Sequence, residues 1–259
     1  MAKAKYTTHL GMVDILPDES PKWRALENII HEEAANFNFE EIRTPIMEQT
    51  ELIKRGIGQL TDIVTKEIFA FTKGDSNYVL RPELTAPVVR AYVQHHLDQR
   101  GGSQKLYYIG PMFRAERPQK GRQRQFHQFG VEVIGSENPV ADVECIAFMM
   151  RIYQRIGIKN FNLKLNSVGD PESRENYKSV LKEYLEPHLE KLSELSQKRF
   201  ETNPMRILDS KEPEDQEFIQ SAPVISDHLN EESKEHFAQV CEMLSSLNIE
   251  YTLDPLLVR

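Results

Sequence analysis

Cysteine is scarce in this chain: two residues in 259, Cys145 and Cys241. They lie far apart, each inside an apolar helical pattern. That argues against a disulfide framework or a thiolate metal site and predicts two buried free thiols. The eight histidines show no ligand spacing, and the one adjacent pair, His95-His96, cannot face one way on a helix. No apolar run approaches the length of a membrane span, and no charged-then-apolar leader opens the chain. A reducing cytoplasm and no membrane attachment are therefore expected. There is no internal repeat, no low-complexity tract and no side-chain nucleophile paired with a base. Basic charge is short as well: 32 Lys and Arg stand against 40 Asp and Glu, a net charge of -8. This balance argues against wholesale coating of nucleic acid but leaves room for a local basic groove.

What is present suffices for a packed core, with 39% hydrophobic and 28% charged residues. The length allows one large domain, or one domain plus an insertion. The chain is organised around residues 110–132. Apolar residues 106–109 lead in, 131–134 lead out, and 118–124 carry Pro, Gly and polar side chains, which reads as two strands joined by a basic loop. Side chains alternate across a strand, so Met112, Arg114 and Glu116 share one face, as do Phe126, Gln128, Gly130 and Glu132. If the two faces lie on the same side of the sheet, they form a polar floor. Such a floor is costly to bury unless a ligand satisfies it, and Gly130 leaves room for something to sit there. From Arg114 to Arg124, five basic residues stand against the single acid Glu116. In an acidic protein this suggests an anion, and arginine forks suit phosphate. A solvated edge hairpin would show the same charge run. The alternation of Arg, Glu, Gln and Glu on one face argues against that blander reading.

Elsewhere, Ser20 followed by Pro21 predicts a helix start. The stripe Trp23, Leu26, Ile29, Ile30, Ala34 and Phe37 continues it. Glu32 and Glu33 near its end are mildly unfavourable for the helix dipole. Residues 39–44 read as a strand stopped by Pro45, and this helix and strand suit either core packing or a subunit interface. Residues 48–66 are helical or irregular, broken at Gly56 and Gly58. A hairpin is expected from 68–72 and 78–80 around residues 73–77. In Arg81-Pro82-Glu83-Leu84-Thr85, Glu83 and Thr85 share a face if the backbone is extended, and a carboxylate beside a hydroxyl suits an ammonium group. Thr85 could equally cap the helix continuing through 88–97. Asn138-Pro139 opens another helix that stops at Gly157, and Phe161, Leu163 and Leu165 alternate as a strand. Residues 171–248 are charge-rich and helical, with stripes at Leu181, Leu185, Leu189 and Leu192 and at Phe237, Val240, Cys241 and Leu244. They read as a helical insertion. Residues 249–253 return to a strand pattern.

These residues have a familiar arrangement. Phe113-Arg114-Ala115-Glu116 with the return Arg122 to Phe126 resembles motif 2 of the class II aminoacyl-tRNA synthetases. The fuller string from Arg117 to Gln128, with Arg81-Pro82-Glu83-Leu84-Thr85 and Leu256-Leu257-Val258-Arg259, is similar to the histidyl-tRNA synthetase family in particular. Residues 21–45 resemble motif 1, which builds the dimer interface there. The resemblance covers essentially the whole chain. It implies an α+β fold, an antiparallel sheet flanked by helices. Residues 1–170 would hold the catalytic core with motifs 1 and 2, 171–248 a helical insertion, and 249–259 a return to the core sheet. It implies a histidine–tRNA ligase activity in which the histidine carboxylate attacks the α-phosphate of ATP, with Mg2+ as cofactor. Histidine would contact Glu83, Thr85, Arg114, Gln128, Glu132 and Arg259. ATP would contact Arg114, Glu116, Arg122 and Phe126, and Arg114 and Arg259 would be catalytic. The implied partners are L-histidine, ATP, the tRNA(His) acceptor stem approached by the insertion, and a second copy of the chain. The family continues beyond the position of Arg259 with a second histidine-recognition segment, motif 3 and an anticodon-binding domain, none of which this chain contains. A truncated parent enzyme is therefore expected. The alternatives are a histidine-binding synthetase-like regulatory subunit of ATP phosphoribosyltransferase, and a histidine-binding or dimerisation module without catalysis. The intact Arg114, Glu116, Arg122 and Phe126 set argues against the regulatory subunit.

Overall fold

In a computed structural model, residues 5–57, 67–117 and 119–258 are described. The chain forms two compact units. One comprises residues 1–137 with 151–157, the other residues 138–150 with 158–259.

In the first unit, α1 spans Ser20–Asn36. It starts one residue before Pro21, and the Ser20 hydroxyl donates to the Leu16 carbonyl rather than capping the helix from outside. The acids near its end are neutralised. Arg155 bonds Glu32 at 2.6 Å and Glu33 at 3.1 Å, and Arg151 lies 3.8 Å from Glu33. Glu33 is thereby buried with its charge paired, which a local dipole argument could not foresee. The expected strand at 39–44 shrinks to β1, Glu40–Glu41, parallel to the later long strand. Next come β2 (Met47–Gln49), α2 (Thr50–Ile57), β3 (Phe69–Lys73) and β4 (Ser76–Leu80). β4 pairs antiparallel with both β2 and β3, and β3–β4 is the expected hairpin. Its turn places Gly74 at φ +61°, a left-handed conformation that glycine adopts without penalty. The break expected at Gly58 falls outside the described residues.

α3 (Thr85–Gln94) leads to β5 (Gln104–Phe113), which pairs antiparallel with β6 (Gln125–Ile134) over ten residues. The sheet order is β1-β5-β6. Alternation then divides the work. On one face, Leu106, Tyr108 and Met112 pack with Leu84 and Val88 at the start of α3, and Phe126 lies against that cluster. On the other face, Tyr107 shares a 2.7 Å hydrogen bond with His31, and His127 packs its ring 4.7 Å from Trp23, both partners on α1. β6 lies at the edge of this sheet among the described residues and is half-buried along its whole length.

In the second unit, the expected strands at 161–165 and 249–253 are shortened to β7 (Lys164–Leu165) and β8 (Thr252–Leu253), paired parallel. The helix after Asn138, α4, runs Pro139–Arg155 and crosses from this unit to the other. Helices α5 (Pro171–Leu185), α6 (Glu194–Thr202), α7 (Pro213–Gln220) and α8 (Glu231–Ser246) follow. Asp170 caps α5 by accepting from Ser173 N–H. Tyr177, Leu181, Leu185, Leu192, Phe200, Ile207 and Phe218 form this unit's largest apolar core. Val143 on α4 packs with Val240 and Leu244 on α8. Asp215, at the first turn of α7, is fully buried. It accepts hydrogen bonds from Ser193 N–H (2.8 Å) and from the hydroxyls of Ser193 (2.9 Å), Ser196 (2.6 Å) and Ser210 (2.5 Å). Cys145 and Cys241 form no disulfide with each other, and both are half-buried rather than buried.

Candidate functional site

The floor expected from alternation is present. The register sets Met112 opposite Phe126, Gly110 opposite Gln128, Tyr108 opposite Gly130 and Leu106 opposite Glu132. Opposed residues in an antiparallel pair point to the same side, so Phe126, Gln128, Gly130 and Glu132 line one face. At about 3.4 Å per residue, Phe126 and Glu132 stand roughly 20 Å apart along the strand.

At the loop end, Arg114 extends the ladder, its N–H donating to Arg124 O at 2.9 Å. Its Nε donates to the Pro82 carbonyl at 3.0 Å, and the guanidinium lies over the Phe126 ring, 5.1 Å from its centroid. Glu116 is held by Arg122 at 2.9 Å, with Arg114 3.9 Å away. Arg124 Nε donates to the Glu116 carbonyl. The loop turns at Gly121, with φ +81°. Charges here are already organised, but cations outnumber the carboxylate they share.

The other end has the opposite character. Glu83 accepts from Thr85 N–H (2.6 Å) and Ala86 N–H (3.1 Å), capping α3 with its carboxylate. The expected alternative, Thr85 as cap, is replaced by this arrangement. The Thr85 hydroxyl is thereby released to donate to Glu132 Oε1 at 2.7 Å. The Tyr108 hydroxyl donates to the same oxygen at 3.4 Å. Burial raises the Glu132 carboxyl above its ordinary value. The Thr85 and Tyr108 hydroxyls oppose that rise, and the Glu83 charge adds to it. Burial, then the negative Glu132, pushes the Tyr108 phenol to about 12. Among the described residues neither Glu83 nor Glu132 has a cationic partner within ion-pair distance. Between the two ends, the Gln128 Oε1 is buried without a hydrogen-bond partner. Two carboxylates and an orphaned carbonyl make an acceptor-rich pocket. It suits a ligand bearing an ammonium group or N–H donors.

Gly130 does not leave open space. A Cβ there would lie 2.4 Å from the Tyr108 hydroxyl and 2.6 Å from its Cζ. The space belongs to Tyr108, one of the apolar lead-in residues 106–109. Its parity with Gly110 and Met112 was the available signal that it shares the floor. Arg259 lies outside the described residues. Among the described residues no group of three or more His, Cys, Asp or Glu could hold a metal ion, and no helix is long and apolar enough to cross a membrane.

The family model described as histidyl-tRNA synthetase matches residues 11–259. A histidine–tRNA ligase of Streptococcus agalactiae serotype III (strain NEM316) is 52% identical over 252 residues, which is 96% of this chain and 59% of that protein. Apo S. aureus histidyl-tRNA synthetase superposes with a TM-score of 0.79 at 43% identity, over 98% of this chain and 58% of that one. A Bacillus halodurans C structure titled as an ATP phosphoribosyltransferase regulatory subunit/histidyl-tRNA synthetase gives a TM-score of 0.66 at 23% identity, over 97% of this chain and 68% of that one, a likeness of fold alone. The chain thus spans about 59% of the length of the curated ligase it matches.

Proposed function

Because the chain belongs to the histidyl-tRNA synthetase family, we propose that it carries the motif 1 and motif 2 portion of a histidine–tRNA ligase, which activates L-histidine with ATP and transfers it to tRNA(His). The observation that carries this reading is the acceptor pocket of Glu83, Glu132 and the unpartnered Gln128 carbonyl, on the same sheet face as an arginine-rich end. An amino acid and a nucleotide together need both.

In the proposed step, a histidine carboxylate oxygen attacks the α-phosphorus of ATP, the bond to the bridging oxygen breaks, and pyrophosphate leaves with that electron pair. Glu83 and Thr85 receive the ammonium group. Gln128 and Glu132 line the amino-acid site, where paired polar groups reject isosteres that leave them unsatisfied. Arg114 contacts the carboxylate and the α-phosphate and stabilises the charge that builds there; Arg259 is assigned the same task. Glu116 receives the adenine amino group, Phe126 stacks on the ring, and Arg122 reaches the terminal phosphates. Mg2+, when bound with ATP, would supply charge neutralisation at the phosphates.

The domain reading is part of the same proposal: core at 1–170, insertion at 171–248 toward the tRNA acceptor stem, and return to the core at 249–259. So are a homodimer built on α1 and the segment after it, and a cytoplasmic setting. The regulatory-subunit reading is less supported, since its named representative is 23% identical and the ligase 52%.

The test is histidine-dependent exchange of pyrophosphate into ATP by the full-length protein. Exchange is expected. Silence with histidine binding intact would favour the regulatory subunit instead. A second expectation concerns Glu132→Gln. The raised Glu132 carboxyl disfavours folding once it ionises, so its contribution to stability is complete below the ordinary carboxyl value and is lost as pH rises through the raised folded value. Glutamine removes that cost. The melting temperature at neutral pH should therefore stay level or rise, while calorimetry shows histidine affinity weakened by about tenfold or more.

A further inference from the structure

Arg81 is almost fully buried, 4% exposed, and has no ion-pair partner among the described residues. Its charge is met by dipoles instead. Nε donates to Pro111 O at 3.1 Å, and Nη1 donates to Thr44 O at 2.8 Å, to Thr44 Oγ1 at 3.3 Å and to Pro45 O at 3.4 Å. Its backbone joins the same neighbourhood: Arg81 N–H donates to Ile46 O at 2.9 Å, and Arg81 O accepts from Phe113 N–H at 3.0 Å. One residue thus binds segment 44–46 to the end of β5 through both side chain and main chain.

Burial lowers the Arg81 guanidinium below its ordinary value, with the more distant Glu48 opposing. A buried cation held only by neutral carbonyl and hydroxyl dipoles is costly, and an apolar side chain would fill the space more cheaply. What an apolar side chain lacks is a rigid planar fork that can engage two segments at once. Gly110 is shaped around that fork: a Cβ there would stand 2.5 Å from Arg81 Nη2. The next residue, Pro82, supplies the carbonyl on which Arg114 Nε is seated at 3.0 Å.

We propose that Arg81 is a positioning residue for Arg114: its buried fork locks the 44–46 segment to β5 and so fixes the Pro82 carbonyl that aims the Arg114 guanidinium. The catalytic consequence rests on the function proposed above; the positional link does not. Two variants probe it. Arg81→Lys keeps the charge but loses the fork. Gly110→Ala keeps Arg81 and crowds its Nη2, at a glycine whose φ is not in the left-handed region.

The positional link is read by NMR on this chain with 15Nε-labelled arginine, following hydrogen exchange of the Arg114 Nε–H, assigned by its loss in Arg114→Lys. Both variants are expected to speed that exchange about tenfold or more while circular dichroism shows the fold retained. Unchanged protection in the folded variants overturns the proposal, whatever the enzyme does. If Gly110→Ala does not fold, Arg81→Lys decides alone. The consequence is read in the full-length protein. Histidine-dependent pyrophosphate exchange should fall about tenfold to a hundredfold in kcat, as expected for displacing a catalytic group by about 1 Å. Loss of Nε–H protection with an unchanged kcat overturns the catalytic consequence. A silent wild-type enzyme would sink the ligase reading and leave the NMR result to judge Arg81.

Discussion

Arg114→Ala is expected to lower histidine-dependent ATP–pyrophosphate exchange by about three orders of magnitude in the full-length protein. Removing one donor that stabilises transition-state charge costs about 100-fold to 1,000-fold, and Arg114 is assigned to two groups, the amino-acid carboxylate and the α-phosphate. Its setting supports a preorganised role. The Pro82 carbonyl fixes Nε, Phe126 supports the plane of the guanidinium, and Glu116 at 3.9 Å is too loosely placed to neutralise it fully. Both Nη groups can therefore still meet a ligand. Arg114→Lys should lose nearly as much, because a point charge on a flexible stem cannot make two parallel bonds. Melting temperatures should change little, as the side chain is part-exposed. An exchange rate within a few-fold of wild type would remove Arg114 from the chemistry.

Asp215→Ala should have the largest effect on stability, about 3 kcal/mol in the unit containing α5 to α8. The buried carboxylate satisfies one backbone N–H and three serine hydroxyls. Deleting it leaves several buried donors without an acceptor, each costing about 1–3 kcal/mol before the hydroxyls rotate to new partners. The same contacts predict a pH dependence. Burial alone would raise the Asp215 carboxyl, but the bonds from Ser196, Ser210 and Ser193 outweigh it and hold the group below its ordinary value. A depressed carboxyl contributes stability that is complete above the ordinary aspartate range and is lost as pH falls through the folded value. Urea titrations should therefore show the wild-type advantage over Asp215→Ala at neutral pH shrinking in acid below about pH 4. An advantage that is absent at pH 7, or that persists unchanged at pH 2, would contradict the hub role. Histidine binding should be spared, since Asp215 touches none of the floor residues.

Much of the floor was legible because period-two alternation and hairpin register are local rules. Once residues 104–113 and 125–134 pair around one loop, Phe126, Gln128, Gly130 and Glu132 must share a side. The reading of Gly130 as vacant failed for a complementary reason. What fills a glycine gap is decided by the residue across the ladder, here Tyr108, and a loop length of several residues leaves that register open. Thr85 shows the same limit. A cap and a ligand group were both compatible with the sequence, and the Glu83 carboxylate took the cap once α3 was placed, which released the Thr85 hydroxyl to Glu132. Glu32 and Glu33 looked unfavourable on α1 alone, yet Arg151 and Arg155 come from a helix more than a hundred residues later.

By itself, then, the sequence determined the central hairpin, the helical character of residues 171–248, the polar floor, the basic loop and the family, because these depend on residue types at short, fixed spacings; it missed the short strand β2. Only the tertiary structure decided which polar groups neutralise one another and which are left over. Glu116 is paired with Arg122, Glu33 with Arg155 and Asp215 with its serines, whereas Glu83, Glu132 and the Gln128 carbonyl keep unused acceptor capacity. That division is set by distances of about 3 Å between residues remote in sequence, where burial multiplies the cost of every unpaired group.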